Sequence, residues 1–486
     1  MKRLIPFLAL AAFCCLPLLF INIRECHDWG DDFAQYLIQA ENIVKGLPQT
    51  ESGYVYDKRF PVVAPAAYPA GFPLMLAPVY AFHGHSIKDY LLLVSFILLL
   101  FCLLMAIFFR RYFAWYTALL MTLVFAYNAW TLQFKAEILS DLPFALFLLA
   151  CTMSWMWLKS KRGAIITGLL AGCLVSIRGV GMVFIVAVIV HSLYGIFKGN
   201  AEARKHAALR AGIAAGITLL FSILLNSVLF KIPSDDFFGF YKNAFATQDV
   251  LQTASYNLHY YTEVFKYFFQ PDFQYSVLPA ATASLSFVLL LLGMVDSLVY
   301  RRSFIDILAG MYILLFLLYP YSAGGFRFIM PVVPLLFIYI ARGVKTLGIS
   351  RMVPGKIVVG ATAILFLLMY KPSISKIINE EKNIVEGPQQ PYAQEMFVHI
   401  NKLNNPLVLF VKPKALALYS HARTCSTVHD QEPDEVDDMI KSLGVTHLLT
   451  VTDAGNAPLD SFLKDFPGKY ALEAQNDHMT LYSVKR

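Results

Sequence analysis

Long apolar runs separated by short basic connections set the pattern of this chain. Runs with little or no charge recur near residues 4–21, 90–109, 113–131, 142–158, 163–177, 179–197, 211–230, 278–299, 304–319, 328–341 and 357–370. A helix needs about 20 apolar residues to cross a bilayer, and inside it satisfies all its own backbone hydrogen bonds. The pattern predicts a polytopic α-helical membrane protein of about eleven transmembrane helices. The first run has a basic start but lacks a small-x-small cleavage site, because Asn22, Ile23 and Arg24 follow it. It reads as a retained anchor rather than a cleaved signal.

Basic residues then fix an orientation. Lys2 and Arg3, Arg110 and Arg111, Lys159 to Arg162, Lys198 to Arg210, Arg301 and Arg302, and Arg342 to Lys356 fall at alternate ends of the runs. If every run crosses, all of these clusters lie on one side, which the positive-inside rule makes cytoplasmic. That places the N-terminus in the cytoplasm of a multi-pass protein of the cell inner (plasma) membrane. The outer face receives the 22–90 loop, the QFKAEILSD turn, Arg178, the 231–277 loop and the YSAGGFR turn. The elaborated face is therefore the outward one.

After about Lys371 the period changes. PLVLFVKP and VTHLLTVTD read as short strands, EPDEVDDMIKSLG as a helix, and KYALEAQND with MTLYSVK as a hairpin. The expectation is a membrane domain over 1–371 and a small extracytoplasmic α/β domain over 372–486. Composition agrees with this class: 57% of residues are hydrophobic and 15% charged, against about 25% charged in soluble proteins. The net charge of +7 follows from the basic connections and is no nucleic-acid footprint. Of seven cysteines, only Cys26 and Cys425 lie in polar stretches, without CxxC spacing, so no cysteine metal site is implied.

Candidate chemistry gathers in the outward segments. WGDDFAQY places Asp31 and Asp32 before a helical pattern, with Tyr36 one turn on. One acid suits an N-cap. A carboxylate fixed there also suits a general base or a ligand to a divalent cation. In FKAEILSDLPF, Glu137 and Asp141 share a face if the segment is helical; Ser140 or Asp141 also suits a cap before Pro143. Arg178, flanked by glycine, and Arg327, in YSAGGFRFIM, suit either a salt bridge or a phosphate, which a guanidinium meets with forked donors. Lys58 and Arg59 are further candidates for phosphate, or a solvated face. His83, His85 and His259 lack metal-ligand spacing.

In order along the chain, GDDFAQY with AENIVKG, YPAGFPLMLAP, AEILSDLPF, GLLAGCLVSIRGVGMVF and GGFRFIMPVVPLLF resemble the GT-C superfamily of polyprenyl-phosphate-sugar-dependent glycosyltransferases. The nearest branch is that of the protein O-mannosyltransferases and lipid A aminoarabinose transferases. The resemblance implies an inverting transfer, outside the cytoplasm, of a hexose or pentose from a polyprenyl-phosphate donor to an acceptor hydroxyl. The acceptor class stays open between lipid, glycan and protein. It assigns Asp31 the first-loop acid, with Asp32 where Glu often follows, and Asp141 the second acid, with Glu137 beside it. Tyr68 and Pro69 match the family's YP turn, with Ala70 in place of a second proline. Arg178 and Arg327 match its outer-face arginines. A cation such as Mg or Mn held by Asp31 and Asp32 and a metal-free base are both compatible with an adjacent acid pair. Two other classes stay open: a lipid or sugar transporter or flippase, and a polysaccharide polymerase or ligase.

Overall fold

A computed structural model describes residues 4–57, 59, 65–198, 200–233, 249–269, 277–320, 324–348, 354–379, 384–428, 431–452 and 454–485. Lys58, one of the phosphate candidates, lies outside them. Among the described residues six helices are long and apolar enough to cross a membrane by length and composition: Ile87–Arg110, Gly179–Phe197, Ala201–Leu229, Val277–Tyr300, Gly325–Thr346 and Gly355–Ile378. Shorter apolar helices cover Leu4–Leu19, Trp115–Ala126, Asp141–Trp157 and Phe304–Leu318. The chain is a multi-pass membrane protein. The run at 113–131 is divided, because Asn128 accepts a capping bond from the Trp130 amide at 3.0 Å and starts a separate helix, Ala129–Lys135.

The chain forms two compact units. The first joins residues 1–23, 91–225 and 247–382. Its tightest helix pairing sets Val277–Tyr300 against Val333–Thr346. Glycine makes that approach: a Cβ on Gly293 would lie 1.9 Å from the Tyr339 carbonyl oxygen, and one on Gly343 2.0 Å from that of Leu289. Helices in lipid gain stability from such backbone contact, since lipid tails are as apolar as leucine.

The second unit joins residues 24–90, 226–246 and 383–486, so the first loop and the C-terminal region fold together. Five strands, β1 (Leu407–Leu409), β2 (Arg423–Cys425), β3 (His447–Val451), β4 (Tyr470–Gln475) and β5 (Met479–Val484), form a mixed sheet in the order β2-β1-β3-β5-β4. The predicted closing hairpin is β4–β5, antiparallel. The predicted acidic helix is Pro433–Leu443, ended by Gly444 at φ 70°. Apolar residues cover both sheet faces: Val408, Phe410 and Leu449 belong to one core, Leu407, Leu409 and Leu448 to the other.

The first loop docks on this sheet through backbone. Tyr54 bridges Thr424 of β2 in parallel register, with the Val55 amide donating to Thr424 at 2.7 Å. The helix Asp32–Lys45 organises the rest with a stripe of buried amide side chains, Gln35, Gln39 and Asn42. Asn42 donates to the carbonyls of Pro48 and Glu51 at 3.0 and 2.8 Å. Gln39 clamps Tyr68 from both sides, donating to its carbonyl and accepting from its amide, each at 2.9 Å. The helix thus satisfies several backbone groups of a loop with little regular structure.

Candidate functional site

In the second unit the acid pair lies at the start of the helix Asp32–Lys45. Asp31 occupies the N-cap position of that helix, yet its side chain makes no capping bond there. The carboxylate serves a different helix. Its Oδ1 accepts the backbone N–H of Lys414 at 3.0 Å and of Ala415 at 3.3 Å, near the N-terminus of Pro413–Ser420. Amides at a helix N-terminus favour a negative charge. The other oxygen, Oδ2, makes no hydrogen bond among the described residues, and Asp31 remains half-buried.

Lys414 is fully buried beside the pair. Its ammonium donates to the Pro65 carbonyl at 3.2 Å and lies over the Tyr68 and Tyr54 rings, 4.5 and 5.1 Å from their centroids. Burial pushes the Asp31 carboxyl up to about 6, against the opposing pull of the Lys414 charge, the Ala415 amide and Lys412. Burial likewise pushes Lys414 down to about 8, against the charges of Asp31 and Asp32. Asp32 accepts the Tyr68 hydroxyl at 2.6 Å. Tyr36 is buried beside it, its ring 5.1 Å from that of Tyr68 and edge-on to Phe72 at 4.9 Å.

Of the residues singled out in the first loop, Asp31, Asp32, Tyr36 and Tyr68 are thus brought together. Arg59 is not among them: it is exposed and pairs with Asp57 at 2.6 Å. Lys414, Tyr54 and Gln39 went unseen in the sequence. Lys414 stands more than three hundred residues from the acids, in a VKPKAL stretch whose pattern signals only a strand end and a helix start.

In the first unit, Asp141 begins the helix Asp141–Trp157 and is 2% exposed. It is the centre of a clamp. Arg178 donates to its Oδ1 at 2.5 Å, and Arg327 donates to its Oδ2 through Nε and Nη2, both at 3.1 Å. The anticipated cap is absent, because Ser140 makes no side-chain capping bond and the Asp141 carboxylate is committed to the arginines. The shared helical face of Glu137 and Asp141 is also absent. One helix ends at Lys135, the next begins at Asp141, and Glu137 lies in the turn between. Arg178 is held in extended backbone, φ −148° and ψ 129°, between Lys161–Ile177 and the short Gly179–Gly181 turn. Arg327 rides on Gly325–Ile329, where Gly325 takes φ +53° and donates its amide to the Tyr260 hydroxyl at 2.9 Å. Two guanidiniums converge on one carboxylate, and both arginines keep some exposure, 22% and 27% by side chain.

The fold of this chain is shared with solved structures of low sequence identity. The structure is similar, with TM-score 0.59 and 14% identity, to ArnT from Cupriavidus metallidurans bound to undecaprenyl phosphate, covering 99% of this chain and 98% of that one. ArnT is a lipid A aminoarabinose transferase. It is also similar to the oligosaccharyltransferase AglB from Archaeoglobus fulgidus in complex with an inhibitory peptide and a dolichol-phosphate (TM-score 0.60, 11% identity, 97% of this chain and 72% of that one). A further structure of the Archaeoglobus fulgidus oligosaccharyltransferase, in complex with Zn and sulfate, matches with TM-score 0.59 and 12% identity over 98% of this chain and 73% of that one. No family model matches the chain, and no curated protein matches it in sequence.

Proposed function

We propose that the protein is an integral-membrane glycosyltransferase that moves a sugar from a polyprenyl-phosphate donor to an acceptor hydroxyl, with inversion. The observation that carries the reading is the half-engaged Asp31, one oxygen fixed by two amides and the other unengaged among the described residues, in a chain with the fold of ArnT and AglB. A hydroxyl is a weak nucleophile until its proton is removed during attack, and a positioned carboxylate with a raised pKa does this near neutral pH. Asp31 takes the proton. Its Oδ2 receives it as the acceptor oxygen bonds to the sugar carbon and the bond to the lipid phosphate breaks. Asp32, hydrogen-bonded to Tyr68, adds negative charge beside it.

The leaving group is a phosphate that gains charge as the bond breaks. Arg178 and Arg327 are the residues we propose for the donor phosphate, supported by their convergence on Asp141 and by the exposure both keep. Asp141 is then the residue that aims both guanidiniums. Arg59, paired with Asp57, has less to support a phosphate role.

A divalent cation on Asp31 and Asp32 does not fit the donor set. Asp31 Oδ1 already accepts two amides, Asp32 accepts a hydroxyl, and the charge of Lys414 bears on both acids. A dication there would meet a buried ammonium. The reading therefore uses no metal step. We further propose about eleven crossings, a cytoplasmic N-terminus and an outward-facing second unit in the inner membrane, supported by the basic clusters at alternate run ends.

The experiment that tests this class uses full-length protein in proteoliposomes with a labelled polyprenyl-phosphate sugar. The expected result is free polyprenyl phosphate together with sugar covalently attached to an acceptor. Label that crosses the bilayer with its phosphate bond intact would instead make the protein a transporter.

A further inference from the structure

We propose that Lys414, contributed by the C-terminal α/β region, is a positioning residue for Asp31, holding the carboxylate ionised and aimed from outside the first loop. The inference rests on the reading of Asp31 as the base. Its geometry carries it: the backbone of Lys414 grips the carboxylate, and its buried side chain is fixed over two tyrosine rings, one of which donates to Asp32.

The same residue acts twice. Its amide, with that of Ala415, orients Oδ1. Its ammonium is locked by the Pro65 carbonyl and by the faces of Tyr68 and Tyr54, and a cation over a desolvated ring face is strongly held. A buried lysine is uncommon unless a charge compensates it. Here Asp31 and Asp32 supply that charge. In return the ammonium opposes the protonation of Asp31 that burial favours.

The charged and titratable groups facing this couple come from several elements. Lys412 precedes the same helix, Asp32 opens the loop helix, Tyr68 sits in the YP turn, and Tyr54 lies on the strand-like segment beside Cys425 and Tyr56. Burial and the nearby Asp31 hold the Tyr54 hydroxyl well above its usual range, and burial with Asp32 and Tyr36 does the same for Tyr68. Both phenols are therefore neutral across the pH range in which Asp31 titrates. Among the described residues Lys414 and Lys412 are the cations facing the carboxyl, and of these Lys414 has the larger effect.

The test follows the infrared carboxyl band lost in Asp31→Asn, titrated in full-length protein in nanodiscs, alongside the pH profile of donor-to-acceptor transfer. In the parent the band is expected to titrate at about 6. Lys414→Met is expected to raise that midpoint by about 1 pH unit or more, within the range of one lost neighbouring charge. The acid limb of kcat should move by the same amount, with KM for the donor unchanged. Lys414→Arg should keep the parent midpoint. An unmoved band in folded Lys414→Met overturns the proposal. A shifted band with an unshifted transfer profile leaves the positioning intact and defeats Asp31 as the base. Should Lys414→Met fail to fold, the double variant Asp31→Asn with Lys414→Met decides. Recovery of folding there demonstrates the charge coupling, because a buried charge stripped of its partner is the costly state. A double variant as unfolded as the single one makes Lys414 a packing residue only, and the proposal falls.

Discussion

At the residue scale, the acid pair is asymmetric in a way that adjacency in sequence conceals. Asp31 and Asp32 look interchangeable in WGDDFAQY, yet one carboxylate is held by helix amides and the other by a tyrosine hydroxyl. Their pH behaviour follows. With its carboxyl raised to about 6, folded Asp31 keeps a proton between about pH 4 and 6 that the unfolded chain has released. Linkage then makes the protein lose stability as pH rises through that window. For Lys414, lowered to about 8, the unfolded chain holds the extra proton between about pH 8 and 10, so stability rises with pH there. The thermal midpoint of the solubilised parent, measured relative to Asp31→Asn, is expected to fall from pH 4 to 6 and then level off. A difference that is flat across that range would contradict the burial of Asp31.

At the element scale, the sequence showed the helices well and their polar contacts poorly. Apolar period located Ile87–Arg110 and Val277–Tyr300 within a few residues, because lipid-crossing length is a composition signal. The acidic helix Pro433–Leu443 was legible from its acids and Gly444, and the closing hairpin from its β-rich runs. Caps were misread for a physical reason. A carboxylate at a helix start has a local amide within reach, but Asp31 finds a helix distant in sequence, and Asp141 finds two arginines. The polar stripe Gln35, Gln39 and Asn42 would pass for a solvated face, whereas it is buried and carries the loop backbone. The clamp at Asp141 makes a prediction of its own. Asp141→Asn should destabilise by about 2 kcal/mol in thermal unfolding, less than the loss typical of fully buried pairs because both arginines keep solvent contact. It should also weaken binding of polyprenyl phosphate roughly tenfold, about one charged hydrogen bond. Unchanged stability and unchanged binding together would show that the clamp neither supports the fold nor aims the arginines.

At the scale of the whole molecule, the C-terminal region is more than an appendage to a membrane domain. It groups with the first loop and brings Lys414 to the acid pair. Nothing in the local pattern of residues 372–486 shows this, since a short α/β sequence reads as a self-contained domain and pairings this distant leave no periodic trace. Membrane class, candidate acids and candidate arginines were legible; the lysine, the tyrosine platform and the two-armed clamp were not. The central claim is that Asp31 is the base of a glycosyl transfer. It is tested most directly by transfer of labelled sugar from a polyprenyl-phosphate donor by reconstituted parent and Asp31→Asn proteins, with donor binding measured in parallel. Asp31→Asn is expected to bind the donor within about threefold of the parent and to transfer it more slowly by about 10²- to 10⁴-fold, the usual contribution of a positioned base. Transfer by Asp31→Asn at the parent rate would contradict it.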